Sequence, residues 1–158
     1  MEYQGYFTKE ELLARIQEAF PLVKRPHDSE LFAYDDNDLM CSIIKKNISN
    51  FTEPLLPYKG VIYLYDELGS LTFKGMQWLL PSLLRIIIEG RDLSGNLHLF
   101  LIWYFEKTTK FELPSAYNFS WLNLQQVKVL VSVLEYLSET YGEGTISAQE
   151  NLIALVNA

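Results

Sequence analysis

Chemically reactive side chains are scarce in this chain of 158 residues, which has one cysteine and two histidines. Cys41 alone can form neither an internal disulfide nor a thiolate metal site, so cysteine usage fits a reducing compartment, and a cytoplasmic location is expected. His27 lies in a polar, proline-containing stretch and His98 in an apolar run, which leaves few ways to join a nucleophile, a base and an orienting carboxylate. No G-x-S-x-G, H-E-x-x-H, P-loop or G-x-G-x-x-G pattern occurs. The N-terminal residues lack the positive flank and apolar run of a signal peptide. The longest uncharged apolar run, 97–105, is far short of a membrane span. No catalytic residue, cofactor, metal or membrane role is therefore expected.

Positive charge is also short. Thirteen Lys and Arg stand against 20 Asp and Glu, a formal charge of −7. Nucleic-acid binding depends on Lys and Arg neutralising phosphates, so a nucleic-acid partner is not expected. The deficit deepens toward the C-terminus, where Lys128 is the only basic residue from Leu113 onward, against Glu135, Glu139, Glu143 and Glu150. Such asymmetry can attract a basic partner, and ordinary solubility accounts for it equally well.

What is abundant is apolar: 49% of residues are hydrophobic and 21% charged, the composition of one globular domain over 1–158 that buries its own core. The stretch 71–91 is too apolar to face water on any side. Leu79, Leu80, Leu83, Leu84, Ile86, Ile87 and Ile88 cover the full circumference of a helix, so it reads as the buried central helix. Thr72 stands where its N-cap would, without a capping box because Gly75 follows at the third position. Pro81 has no N–H for the carbonyl of Gln77, so the helix should kink or restart there.

Around this element the periodicity predicts further helices. Thr8 and Glu11 make a capping box ahead of Leu12, Leu13, Ile16, Ala19 and Phe20. Residues 24–28 read as a surface loop. An acidic run, Asp35, Asp36 and Asp38, precedes the stripe Leu39, Met40, Ile43, Ile44 and Ile48, and carboxylates suit the positive end of a helix. A calcium loop fails there because Met40 occupies a ligand position and no glycine follows in register. Asn123 and Gln126 form a second capping box, opening a helix through Leu134 and Leu137 that Gly142 ends. Ser147 and Glu150 suggest a third, ahead of a short terminal helix. The run 97–105 tilts toward helix, while Val61–Ile62–Tyr63–Leu64–Tyr65 has strand-like composition, so a small two-strand element pairing the two runs is the alternative. The expected fold is mainly α: a single-domain helical bundle around a proline-kinked central helix.

The adjacent carboxylates Asp66 and Glu67 diverge in direction, which favours a turn over acid/base work. His98 reads as a packed or hydrogen-bonded residue, because zinc needs three or four donors. Aromatic residues near element ends, including Tyr104, Tyr117 and Trp121, suit core and loop-pinning roles and can also anchor interfaces.

Two segments carry a resemblance. Residues 71–84, LTFKGMQWLLPSLL, resemble the L-T-x-x-[AG]-[FM]-x-[YW]-[YL]-L-P signature of an uncharacterised bacterial family. The capped helix from Asn123 to the closing Val133-Leu134-Glu135-Tyr136-Leu137 is similar to that family's second mark, with Val133 where the family has Phe and Asn123 where it has Thr. The resemblance implies a bacterial origin and a helical fold, and brings no catalytic residue or cofactor. The function expected from size, acidity and surplus aromatics is that of a non-enzymatic binding protein of the immunity or antitoxin type, neutralising a basic protein partner such as a toxin. Its expected contact set is Asp35, Asp36, Asp38, Glu135, Glu139 and Glu143. The alternatives are a structural or regulatory subunit acting as a homo-oligomer, and an enzyme with an unfamiliar site.

Overall fold

Helix α5, Phe73–Glu89, is the element on which the others are laid. A computed structural model of the chain describes residues 7–33, 38–65, 71–107 and 116–157. Around α5 stand α1 (Lys9–Ala19), α2 (Asp28–Leu31), α3 (Leu39–Ile48), α4 (Tyr58–Leu64), α6 (Leu97–Glu106), α7 (Leu124–Tyr141) and α8 (Ile146–Asn157). Helices α1, α2, α4 and α6 pack directly on α5, α3 rests on α4, and α7 and α8 close the bundle over α1 and α6. The expected helical bundle is what forms.

The all-round apolar character of α5 is matched by all-round burial: Leu79, Leu80, Leu83 and Leu84 are fully buried, and Ile86, Ile87 and Ile88 nearly so. Thr72 caps it, its hydroxyl accepting from Gly75 N–H at 3.2 Å. That hydroxyl also donates to the carbonyl of Glu30, and Thr72 N–H donates to Leu31 O at 3.0 Å. The entry of α5 is thereby tied to α2. Gly75 is needed at this crossing, because a Cβ there would stand 3.0 Å from the Leu31 carbonyl oxygen. Pro81 lies inside one uninterrupted helix, so the restart expected as one outcome of the proline does not occur. At the far end Gly90, with φ of 74°, turns the chain, its N–H reaching Ile87 O while Arg91 N–H reaches Ile86 O.

The capping boxes of α1 and α7 form as read, with Thr8 and Glu11 bonded reciprocally and Asn123 and Gln126 likewise. Gly142, at φ 70°, closes α7. The box expected at Ser147 is displaced: α8 begins at Ile146, and Thr145 takes the capping position. Its carbonyl accepts from Gln149 N–H, and its hydroxyl from Gln149 Nε2 at 2.9 Å. Thr145 is buried while Ser147 faces water, so packing selects the start.

The two-strand alternative is overturned. Val61 and Leu64 sit one helical turn apart on the buried side of α4, and 97–105 lies within α6. Burial of one helical face outweighs the β-branched composition of so short a run. Among the described residues, extended pairing is confined to isolated bridging at the α2–α5 crossing, where Phe32 pairs with Leu71 in antiparallel fashion. The 24–28 loop also departs from expectation, since α2 starts at Asp28 and Arg25 is held fast. The Arg25 guanidinium donates to Ile48 O and Phe51 O and to Asp28 Oδ1, each at 2.9 Å. In α3 the expected apolar stripe divides: Ile44 and Ile48 are buried, whereas Leu39, Met40 and Ile43 are 72%, 47% and 44% exposed.

One side chain joins two helices end to start. Gln126 accepts from Asn123 N–H at 3.0 Å through Oε1 and donates to Ala19 O, the last residue of α1, at 3.1 Å through Nε2. Gln126→Ala should lower stability by about 1–2 kcal/mol in urea unfolding, losing a cap and a helix-to-helix bond together. Gln126→Glu keeps the reach to Asn123 but cannot donate to Ala19, and should lose about 1 kcal/mol.

Candidate functional site

The expected acidic contact set is dispersed. Asp35 and Asp36 lie outside the described residues, as do Asp66 and Glu67. Asp38 is the N-cap of α3, its Oδ1 accepting from Cys41 N–H at 2.9 Å. Glu135 and Glu139 stand one turn apart on α7, and Glu143 follows the closing Gly142. Helix α3 packs on α4, whereas α7 packs on α1 and α8, so Asp38 and the glutamates belong to different parts of the bundle. Among the described residues no ion pair engages Glu135, Glu139 or Glu143. Partial burial raises the pKa of Glu135 above the usual carboxylate value, and the charge of Glu139 raises it further.

His98 is stacked on Tyr141, ring centroids 4.0 Å apart and planes within 12°, which joins the start of α6 to the end of α7. The packed role expected of it is the one observed. Among the described residues no group of three or more His, Cys, Asp and Glu side chains is placed to hold a metal ion, and no helix is long and apolar enough to cross a membrane.

Sequence reasoning passed over a cleft of about 440 Å³ where α5, the α1–α2 connection and the start of α7 meet. Lys74, Gln77 and Pro81 line it from α5, spaced to share one helical face. Phe20, Pro21, Val23 and Lys24 line it from the α1–α2 connection, and Trp121, Asn123 and Gln126 from the start of α7. Glu30 is bound to Lys74 across the rim, and this hydrogen bond, with the Lys74 charge, holds its carboxyl below the usual value. Lys24 is exposed and has no ion pair or hydrogen bond among the described residues. Trp121 Nε1 is buried with no hydrogen-bond partner.

Next to this cleft is Arg85, 9% exposed. Its guanidinium donates to Pro81 O at 2.8 Å and Phe20 O at 3.1 Å, both from residues that line the cleft. Burial lowers its pKa from the ordinary arginine value, and the charge of Glu89 opposes that. Arginine keeps its charge in proteins, so a cation satisfied by carbonyl dipoles stands next to the residues that line the cleft. An arginine interrupting the apolar run LLRIII is the signal that could have located this place.

No family model matches the chain, and neither a curated protein nor a solved structure resembles it at a significant level.

Two outcomes follow from these environments. A carboxyl whose folded pKa is raised binds its proton more tightly in the native state, so stability falls as pH rises from the unfolded pKa through the folded one. Glu135→Gln should therefore stabilise the protein at pH 7, by a few tenths of a kcal/mol as for like-charge pairs one turn apart, and leave it unchanged below the carboxylate range. Urea midpoints at both pH values check this. Trp121→Phe removes an unpartnered donor whose desolvation costs about 1–3 kcal/mol, which offsets the lost ring area. Stability should then change by less than about 1 kcal/mol, and a larger loss would mean that the indole N–H has an acceptor.

Proposed function

We propose that this chain is a non-enzymatic acidic binding protein that neutralises a basic protein partner, as bacterial immunity and antitoxin proteins do. The observation that carries the reading is the group Glu135, Glu139 and Glu143, three carboxylates along and beyond the C-terminal half of α7 without a cation paired to them among the described residues. Glu135 is half-buried and repelled by Glu139, so it is held at a cost that an arriving cation would relieve. Tyr141 and Ile146, 46% and 71% exposed, add apolar surface beside these carboxylates in the sequence, the combination in which charge steers the encounter and aromatic contact holds it. The net charge of −7 acts in the same direction at longer range. A cytoplasmic setting belongs to this reading.

The exposed Leu39, Met40 and Ile43 of α3 favour a second reading, a homo-oligomer that covers this face. Light scattering after gel filtration at two concentrations separates the two, since a monomer at both leaves the apolar face uncovered by a second copy.

The first reading is tested by capture from the native lysate in low salt. A basic protein should be retained by the wild-type chain and lost from the triple variant Glu135→Gln, Glu139→Gln, Glu143→Gln. With the captured protein purified, charge reversal at these positions should slow association about tenfold or more at low ionic strength and have less effect in high salt. Retention of no protein, or equal association rates for both chains, rejects the reading.

A further inference from the structure

The cleft between α5 and the start of α7 has the opposite electrical character to the molecule that contains it. In a chain of net charge −7, its walls present Lys24 and Lys74, and its one acidic lining residue, Glu30, is already bound to Lys74. Arg85 donates to the carbonyls of Phe20 and Pro81, and among the described residues no carboxylate is in ion-pair contact with it, the charge of Glu89 acting from one turn further along α5. The 18-residue helix α7 starts at the same place, adding the positive end of its dipole. Among the lining residues are apolar side chains with exposed surface, Pro21, Val23 and the partly exposed Trp121.

We propose that this cleft binds a small organic anion, a carboxylate carried on an aromatic or branched apolar body. Its volume of about 440 Å³ falls in the range of roughly 300–1,000 Å³ typical of small-molecule sites. Lys24 is the ammonium free to meet the carboxylate, and Arg85 with the α7 terminus supplies a fixed positive field that water cannot easily screen. The apolar body lies against Trp121, Pro21 and Val23, and Gln77 supplies an amide among the lining residues. The surrounding negative charge keeps anions from other surfaces and makes this the favoured place for one.

The test uses matched probes, phenylacetate and phenylacetamide, which differ in charge and little else. The reporter is the indole N–H cross-peak of Trp121 in a nitrogen–proton correlation spectrum, assigned by its loss in Trp121→Phe. Phenylacetate should shift that peak saturably with a Kd of about 1 mM, and phenylacetamide should bind about tenfold more weakly. Lys24→Ala, a change at an exposed residue, should weaken phenylacetate about tenfold and leave the spectrum of the free protein otherwise intact. A short peptide ending in phenylalanine tells a small molecule from a chain terminus: binding no tighter than phenylacetate supports the proposal, and binding more than tenfold tighter overturns its small-molecule form. Equal binding of acid and amide, or an unmoved Trp121 peak, overturns it entirely. None of these outcomes bears on the basic-partner reading, because Glu135, Glu139 and Glu143 do not line the cleft.

Discussion

The last carbonyls of a helix have no partner within it, and in this bundle they are met by side chains from elsewhere in the chain. Phe20 O, just past α1, receives Arg85, and Ala19 O receives Gln126. Ile48 O, at the end of α3, receives Arg25. Glu89 O, at the end of α5, receives Lys9 at 3.0 Å, and the final carbonyls of α6 receive the Asn151 amide at 2.9 and 3.0 Å. Helices α1, α5 and α6 have no basic residue in their own last turn. Satisfying those ends is therefore a tertiary event, and it sets the relative placement of helices that apolar contact alone would let slide.

Arg85 shows how much depends on this. A guanidinium buried without a carboxylate in direct contact is costly; here the charge of Glu89, one turn further along α5, offsets part of that cost, and two carbonyl acceptors hold the group in place. One of them, Pro81 O, belongs to its own helix four residues earlier, in the turn where proline has removed a donor. The other belongs to the end of α1. Burial of Arg85 thus couples the proline-containing turn of α5 to the exit of α1, and the two residues it ties together, Phe20 and Pro81, both line the cleft. The shape of that opening follows from how a helix end is satisfied.

This also explains what could be read from the chain before any coordinates. Features that are local in sequence were legible: the reciprocal caps at Thr8 and Asn123, the stop at Gly142, and the burial of α5 from its all-round leucine and isoleucine. Features set by long-range partners were not. Val61–Leu64 has strand composition and becomes helix because α5 offers it a surface. Leu39, Met40 and Ile43 match a helical stripe, yet α3 meets α4 with its other side. Arg25 looks like a loop residue, and its acceptors lie 23 and 26 positions away. The cleft was missed for the same reason, since Lys24, Lys74, Arg85 and Trp121 come from three separate stretches and form no spacing pattern. A residue type out of keeping with its surroundings, as Arg85 is, marks such places better than a motif search.

The two signs of charge differ in the contacts they make rather than in depth. Several basic residues reach carbonyls at helix ends, Lys9, Arg25 and Arg85 among them, and Arg25 also stands over the Trp78 ring at 5.4 Å. The glutamates of α7 have no such partners among the described residues. Most of the described Lys and Arg residues are nonetheless exposed, and Arg85 is the buried one among them, so the cleft beside Pro81 differs from the rest of the surface in having that cation next to it. Because the same few cations brace the helix ends, neutralising Arg85 would act on the bundle and the cleft together. Lys24, which braces nothing described, is the position at which the two roles come apart.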